Sequence, residues 1–374
     1  MNVMDARLCL QLHRLPGLAD LPLARLFRHY GCSRKIWDSD PRTWPQMGVP
    51  QATVDAAIDV QRGVARKSDL PKIEQQLNFL REIDAEVIVL TDPRYPVLLQ
   101  LLYDPPPILY VRGEHSLLQQ AQVGIVGARK ASSHGRRAAH SLAAELVHAG
   151  LHICSGLAAG IDQAAHRGAL DAGGKTLAVM ATGLDVIYPA RHRGLAEEIS
   201  LSGCLLSEFP PGCRPLRQRF PRRNRVISGL SLGVLVVEAA QRSGSLITAR
   251  TAMEQGREVF ALPWSMFHTP GQGCLGLIKD GVKMVLRVED ILEELGPLYQ
   301  CQREALNPAA SEPAADTGLS AAESGVLDLI GSEAVSVDEL VSHSGLAVSR
   351  ILAVLSTLEI GGRVVRDAGG YIQS

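Results

Sequence analysis

The sequence predicts an α/β protein with a mostly parallel sheet wound with helices, a small helical domain before it and a compact helix-and-hairpin domain after it. Three observations predict this. Apolar strand-like runs near 123–127, 151–154, 176–181, 204–207, 232–238, 258–262 and 282–286 alternate with helix-compatible segments such as 161–172, 192–200 and 245–255. That alternation implies right-handed crossovers and a parallel sheet covered on both faces. Three of the strand ends carry glycine and lead into a helix, at Gly127, at Gly156 to Gly160 and at Gly244. Composition then changes after Gly296, where Asn307 to Ala315 is small, polar and proline-bearing, as a linker would be.

Taken in order, residues 1–80 read as a helical domain. Leu8, Leu12 and Leu15 follow helical spacing, Pro16-Gly17 interrupts it, and Leu23, Leu26 and Phe27 resume it. This helix, hairpin and helix could present amides to a phosphate, but a simple packing role for so short a match is the stronger reading. Residues 81–296 form the sheet-bearing core. Its first strands, Glu86 to Leu90 and Pro107 to Gly113, are bracketed by prolines and read as the sheet edge. Residues 297–318 are the linker. Residues 319–374 give helices at 320–330, 336–343 and 347–359 and a hairpin from Gly362 to Ile372, the order of a winged helix. That domain carries three arginines against seven acids, so it is poorly suited to neutralising duplex phosphates, and a protein-contact role fits better.

Composition narrows the function classes. The chain has 38 basic and 39 acidic residues for a net charge of −1, so any polyanion must be met by a local basic patch. Aromatic residues make up 4%, too few for a grip built mainly on base stacking. Seven cysteines at 9, 32, 154, 204, 213, 274 and 301 contain no Cys-x-x-Cys pair, which argues for reduced thiols in the cytoplasm rather than disulfides or a metal site. No signal peptide and no apolar run of about 20 residues is evident, so a membrane association is not expected.

The candidate site lies at the carboxyl ends of the strands, where ligands of wound sheets bind. Backbone amides at glycine-bearing strand-to-helix junctions suit an anion. Arg129 directly follows the first junction, and Ser155, Gly156 and Gly160 form the second. Ser243, Gly244 and Ser245 form the third, where Ser243 is equally a plain N-cap. Between the second and third, Arg214 to Arg225 holds six arginines and no acid, among them Arg219, Arg222, Arg223 and Arg225, with Asn224. Arginines at a helix start oppose its dipole by a few tenths of a kcal/mol each, roughly, a cost an anion would relieve. Asp162 is expected to cap its helix and His166 to be packed. Glu208 and Glu238 follow strands and are expected to pair with the arginines. No catalytic nucleophile, metal set or cofactor motif is found.

These residues fall into ordered motifs: Gly124 to Arg129 (Gly-Ile-Val-Gly-Ala-Arg), Ser155 to Asp162 with Ala165-His166, and Gly183 to Pro189. They continue with Ser207 to Gly212, Phe220 to Ser231 (Phe-Pro-Arg-Arg-Asn-Arg-Val-Ile-Ser-Gly-Leu-Ser) and Ser243 to Arg250. The set resembles the DNA processing protein A family (DprA, also called Smf), closely over about 110–290. The resemblance implies an extended Rossmann-like core between a helical domain and a winged helix. It further implies a non-enzymatic, homodimeric single-stranded DNA-binding protein of natural transformation that protects incoming strands and loads RecA recombinase onto them. By the same likeness Arg129 and Lys175 hold phosphate, and the segment around Leu277 and Ile278 contributes to the dimer. Three departures stand out: Ala128 where the family usually has serine, His192 for asparagine and Trp264 for glycine.

Two other functions are open at this stage. A nucleotide phosphoribohydrolase would use Glu238 as its carboxylate, but the Pro-Gly-Gly-x-Gly-Thr loop of those enzymes is absent. A dinucleotide oxidoreductase is weaker still, because Gly124 and Gly127 lack the Gly-x-Gly-x-x-Gly spacing.

Overall fold

The structure, a computed structural model, describes residues 3–64, 70–296, 321–330 and 335–344, and within the last segment 351, 354–355, 358, 363–367 and 370–373. Two compact units result, Met1–Leu306 and Asn307–Ser374.

The first unit opens with helices α1 (Val3–His13), α2 (Asp20–Tyr30), α3 (Ser33–Asp38), α4 (Gln51–Gln61) and α5 (Leu70–Glu82). Leu10, Leu12, Leu23, Leu26, Phe27, Ile36 and Trp44 are all 0–1% exposed and make this helical segment's core. The Pro16-Gly17 hairpin is exposed, and Thr53 Oγ1 on α4 donates to the Pro16 carbonyl at 2.6 Å, which anchors the turn on α4.

Nine strands follow: β1 (Ala85–Val89), β2 (Ile108–Gly113), β3 (Gln122–Val126), β4 (His152–Ser155), β5 (Thr176–Met180), β6 (Cys204–Ser207), β7 (Gly233–Val236), β8 (Glu258–Ala261) and β9 (Lys283–Met284). Their order across one sheet is β1-β2-β6-β5-β4-β3-β7-β8-β9. The strands from β6 to β9 pair in parallel; β1 and β2 are added antiparallel at one edge, as the proline-bracketed runs suggested. The connecting helices are α6 (Val97–Gln100), α7 (Ser133–His148), α8 (Ile161–Asp171), α9 (Arg193–Ser202), α10 (Arg219–Leu230), α11 (Gly244–Glu254), α12 (Gln272–Lys279) and α13 (289–296).

Strand side chains alternate between the two faces, so each face needs its own cover. Val123, Ile125, Ile153 and Leu235 pack on one side with Leu142 and Leu146 of α7 and Ile161 and Ala165 of α8. Val126, Cys154, Val234 and Val236 pack on the other with Val226, Ile227 and Leu230 of α10 and Ala249 of α11, in a core continuous with that of the helical segment. The sheet changes winding direction between β3 and β7. From β3 the chain moves through α7 to β4 on one side, and from β7 it moves through α11 to β8 on the other. A crevice must open at that switch point.

The second unit contains α14 (Ala321–Leu329), α15 (Val337–Ser344) and a hairpin of β10 (Val364–Asp367) with β11 (Gly370–Gln373). Val326, Leu340, Ile351, Leu355, Leu358 and Val364 are its core. The predicted linker at 297–318 and much of the predicted helix at 347–359 lie outside the described residues.

Gly160 fixes how two rim loops meet. Its φ is +84°, and a Cβ there would press into the carbonyls of Ala128 and Arg129. Gly160→Ala is expected to cost about 2 kcal/mol or more through strain and overlap combined. Thermal unfolding reads this directly, and an unchanged midpoint would contradict it.

Candidate nucleic-acid interface

Two cavities adjoin at the carboxyl ends of β3, β4, β5 and β7. The first, about 340 Å³, is lined by Arg129, Lys130, Ala158, Tyr188, Arg191 and Phe220 among others. The second, about 330 Å³, lies at the β3/β7 switch point and is lined by Arg129, Asn224, Ser243, Gly244, Ser245 and Thr248 among others. Arg129, Ala158, Phe220 and Arg223 belong to both. The Arg129 guanidinium lies 4.8 Å from the centre of the Phe220 ring, which holds it at the junction. Phe220 in turn meets the half-exposed Tyr188 edge-on at 5.8 Å.

The floor is built from buried charge. Arg223 is 4% exposed, and its Nη1 donates to the carbonyls of Gly156 and Val179, the latter at 2.6 Å, while Nε donates to Asn224 Oδ1 at 3.0 Å. Burial lowers its pKa from the usual arginine value, and Asp162 opposes that shift. Asp162 is buried too, and burial raises its pKa, with Arg223 and the amides of Ala158 and Gly156 acting the other way. Its Oδ2 accepts from the Ala158 amide at 3.3 Å, so in place of the expected helix cap it ties the β4–α8 turn, with Gly160 at the N-cap of α8 and Asp162 in the helix's first turn. His166 is fully buried, with Nδ1 paired to Thr176 Oγ1 at 2.8 Å. That hydroxyl donates onward to Ile153, so His166 Nδ1–H is the donor.

At the second cavity Ser243 is the N-cap of α11, accepting from the Ser245 amide at 3.2 Å. Gly244 is exposed, and a Cβ there would meet nothing within 4 Å. The 11-residue helix therefore directs its positive end into an open crevice beside Arg129.

Several sequence-predicted residues have other tasks. Ser155 is 0% exposed and donates to the Ile125 carbonyl at 2.6 Å, so its hydroxyl ties β4 to β3. Gly156 is buried, and a Cβ there would overlap the Arg223 guanidinium, so its smallness admits that arginine. Gly160 packs one loop on another and lines neither cavity. Lys175 stands at the amino end of β5, on the opposite rim, with Nζ 2.7 Å from Glu114 Oε2. The strand it precedes runs away from it toward the crevice, so it belongs to no common site with Arg129.

The arginine-rich segment divides along α10. Arg225 contacts Glu208 at 2.7 Å, Asp20 at 3.3 Å and Asp104 at 3.5 Å. Arg222 contacts Asp20 and, at 3.3 Å, Glu208. These two join the helical segment to the sheet. Glu208 thus pairs as expected; Glu238 does not. It is fully buried and accepts from the Ser132 amide at 3.0 Å and from the Ser132 hydroxyl, which fixes Ser132 as the N-cap of α7. The carboxylate a hydrolase would need is therefore engaged in structure. By contrast, among the described residues Arg129, Lys130, Arg191, Arg214, Arg217 and Arg219 form no ion pair.

Sequence reasoning missed Arg191, Lys130, Tyr188 and Phe220 as site residues. All four follow strand ends or flank Arg129 and the α10 arginines, so position alone could have flagged them. The departures at His192 and Trp264 are absorbed locally. His192 Nδ1 lies 2.8 Å from the Leu157 carbonyl, and Trp264 Nε1 donates to Val237 at 2.8 Å while stacking on His268.

A wound sheet with a basic switch-point crevice describes the α/β class of this protein, and comparison with known proteins makes the class specific. The family model of DNA recombination-mediator protein A matches residues 86–296, and that of the DprA winged helix domain matches 309–370. Protein Smf of Escherichia coli (strain K12) is 39% identical over 332 residues, covering 86% of this chain and 88% of its own length. The X-ray structure of DNA processing protein A (DprA) from Streptococcus pneumoniae superposes with a TM-score of 0.68 at 34% identity, covering 77% of this chain and 97% of its own. DNA processing protein A of Helicobacter pylori, described for its single-stranded DNA binding mode, gives 0.52 at 28% identity, covering 59% and 97%. The chain belongs to the DNA recombination-mediator protein A family and carries that family's C-terminal winged helix.

One consequence of the buried floor is measurable. Burial, helped by Arg223 and His192, pushes His166 down to about 3 from an ordinary value near 6.5. The unfolded chain then takes up this proton more readily, so His166 costs stability as pH falls through the window between 6.5 and 3. His166→Asn keeps a donor toward Thr176 but does not titrate. The stability difference between the original chain and this variant should move by about 1.4 kcal/mol per pH unit toward the variant between about pH 6 and 4. Denaturant unfolding measures it, and a pH-independent difference would refute the assignment.

Proposed function

We propose that this chain binds single-stranded DNA in the paired cavities and, as a recombination mediator, protects the strand and loads RecA recombinase onto it in natural transformation. One observation carries the reading: Arg129, without a carboxylate partner among the described residues, is braced on Phe220 between a helix-start crevice and an aromatic-lined cavity. Phosphates suit Arg129, Lys130, Arg191 and the first turn of α11. Bases suit the exposed faces of Tyr188 and Phe220, where stacking tolerates any sequence. Cavities of this size admit a nucleotide and not a duplex. Membership in the family supports the role with RecA.

The remaining candidate contacts are Asn224, Gly244 and Ser245 at the switch point, with Arg219 beside them and Arg223 as the floor. The chain would act in the cytoplasm as a homodimer; among the described residues no helix is long and apolar enough to cross a membrane. In the segment around Leu277 and Ile278, Leu277 is 7% exposed and packs into the core, which leaves the half-buried Ile278 as its side chain open to a partner copy. Exposed Met284 and Leu286 at the β9 edge offer further apolar surface to such a contact. The acidic winged helix would meet a protein rather than DNA.

Fluorescence anisotropy with labelled oligothymidylate tests the site. Arg129→Ala should weaken binding about tenfold or more, the worth of a charge-assisted hydrogen bond. The salt slope should fall by about 0.7 for each phosphate that the variant no longer neutralises. Lys175→Ala should leave both unchanged. Full affinity in Arg129→Ala would overturn the proposal.

A further inference from the structure

The loop between β8 and α12 leaves the same end of the sheet as the crevice, and it holds two large apolar side chains in solvent. Met266 is 70% exposed and Phe267 is 86% exposed. The loop beneath them is firmly built. The Trp264 indole stacks on the His268 ring at 4.3 Å, donates to the Val237 carbonyl at 2.8 Å and closes over Gly271, where a Cβ would overlap it. Two amides then fold the tip back on Ser265, that of Phe267 at 3.3 Å from its hydroxyl and that of His268 at 2.8 Å from its carbonyl. A ring displayed on so braced a loop loses little freedom when something covers it.

The start of α7 adjoins this loop. His268 Nε2 lies 3.6 Å from Oε2 of the buried Glu238, and Glu238 in turn holds Ser132, the N-cap of α7. Gly135, Ala139, Leu142 and Leu146 are the buried side of that helix, so Arg137, about 200° around from Gly135, points away from the sheet. Lys130, just before the helix, lines the first cavity. Both cations are exposed, and among the described residues neither has a carboxylate partner. We propose that a DNA strand leaving the first cavity past Lys130 crosses the start of α7, with a phosphate on Arg137 and a base stacked on Phe267.

The proposal rests on the single-strand reading of the crevice. Charge selects the occupant. Neither 127–144 nor 261–279 contains an acidic residue, and the first acid further along α7, Glu145, accepts from the Ser141 hydroxyl at 2.8 Å. A second copy docking its own α7 start and loop here would bring the same cations against these, whereas a polyanion relieves them. An exposed aromatic ring beside unpaired cations is the pairing that single strands require, since the ring takes a base of any sequence and the cations take its phosphates.

Fluorescence anisotropy with a labelled oligothymidylate of about 20 nucleotides, long enough to pass beyond the crevice, is measured over a range of salt. Phe267→Leu should weaken binding about tenfold, the worth of one stacked base, and leave the salt slope unchanged. Phe267→Tyr keeps the ring and should bind as the original chain does. Arg137→Gln should lower the salt slope by about 0.7, for one phosphate no longer neutralised. Both side chains are exposed, so each variant should keep the original unfolding midpoint, and light scattering should give Phe267→Leu an unchanged mass. Full affinity in Phe267→Leu, an equal loss in Phe267→Tyr, or an unchanged slope in Arg137→Gln would overturn the path over α7 and leave the crevice standing. A change of mass in Phe267→Leu would make the ring a contact between copies and overturn it as well. Full affinity in Arg129→Ala, by contrast, would bring down the crevice and this path together.

Discussion

The buried Arg223 guanidinium governs the rim of the sheet. It joins the carbonyls at the ends of β4 and β5, is relieved electrostatically by Asp162, and excludes any side chain larger than hydrogen at Gly156. Removing one member of such a buried charged set commonly costs about 3–5 kcal/mol, because the other charge is left uncompensated. With the floor thus fixed, Arg129 stands above it on Phe220, with no carboxylate partner among the described residues. A rigid, positively charged rim holds its binding geometry before the ligand arrives, so little ordering entropy is lost on association.

The six arginines between Arg214 and Arg225 show how one charge run serves three purposes. Arg223 points into the sheet, Arg222 and Arg225 point across to Asp20 and Glu208, Arg214 and Arg217 stay in solvent, and Arg219 lies half-buried over the Phe209 ring. Helical periodicity sorts the later ones: Arg222 and Arg225 are three residues apart and share a face, whereas Arg223 is turned about 100° from Arg222. The network through Asp20 also explains why the helical segment and the sheet share one core. Two guanidinium groups that sequence alone would assign to DNA instead hold the segments together.

Much of the fold was legible because strand runs, glycine junctions and the composition change after Gly296 all depend on local pattern. Strand ends fell close to the predicted runs, and the proline-bracketed runs fell at the sheet edge. The site was less legible, because it depends on which groups meet in space. Nothing in the local sequence says that Ser155 is spent on Ile125, that Glu238 holds the Ser132 cap of α7, or that Glu114 holds Lys175 on the far rim. Likewise Tyr188, Phe220 and Arg191 gain meaning only when the loops after β5 and β6 are seen to frame Arg129. A low aromatic content concealed them, since one well-placed pair is enough to line a cavity.

The most direct measurement is a crystal structure of the chain bound to a short oligothymidylate. Phosphate oxygens within hydrogen-bonding reach of Arg129 and of the first amides of α11, with a base against Tyr188 or Phe220, are the expected result. A strand lying along the Arg222 and Arg225 face, or on the rim where Lys175 meets Glu114, would contradict it.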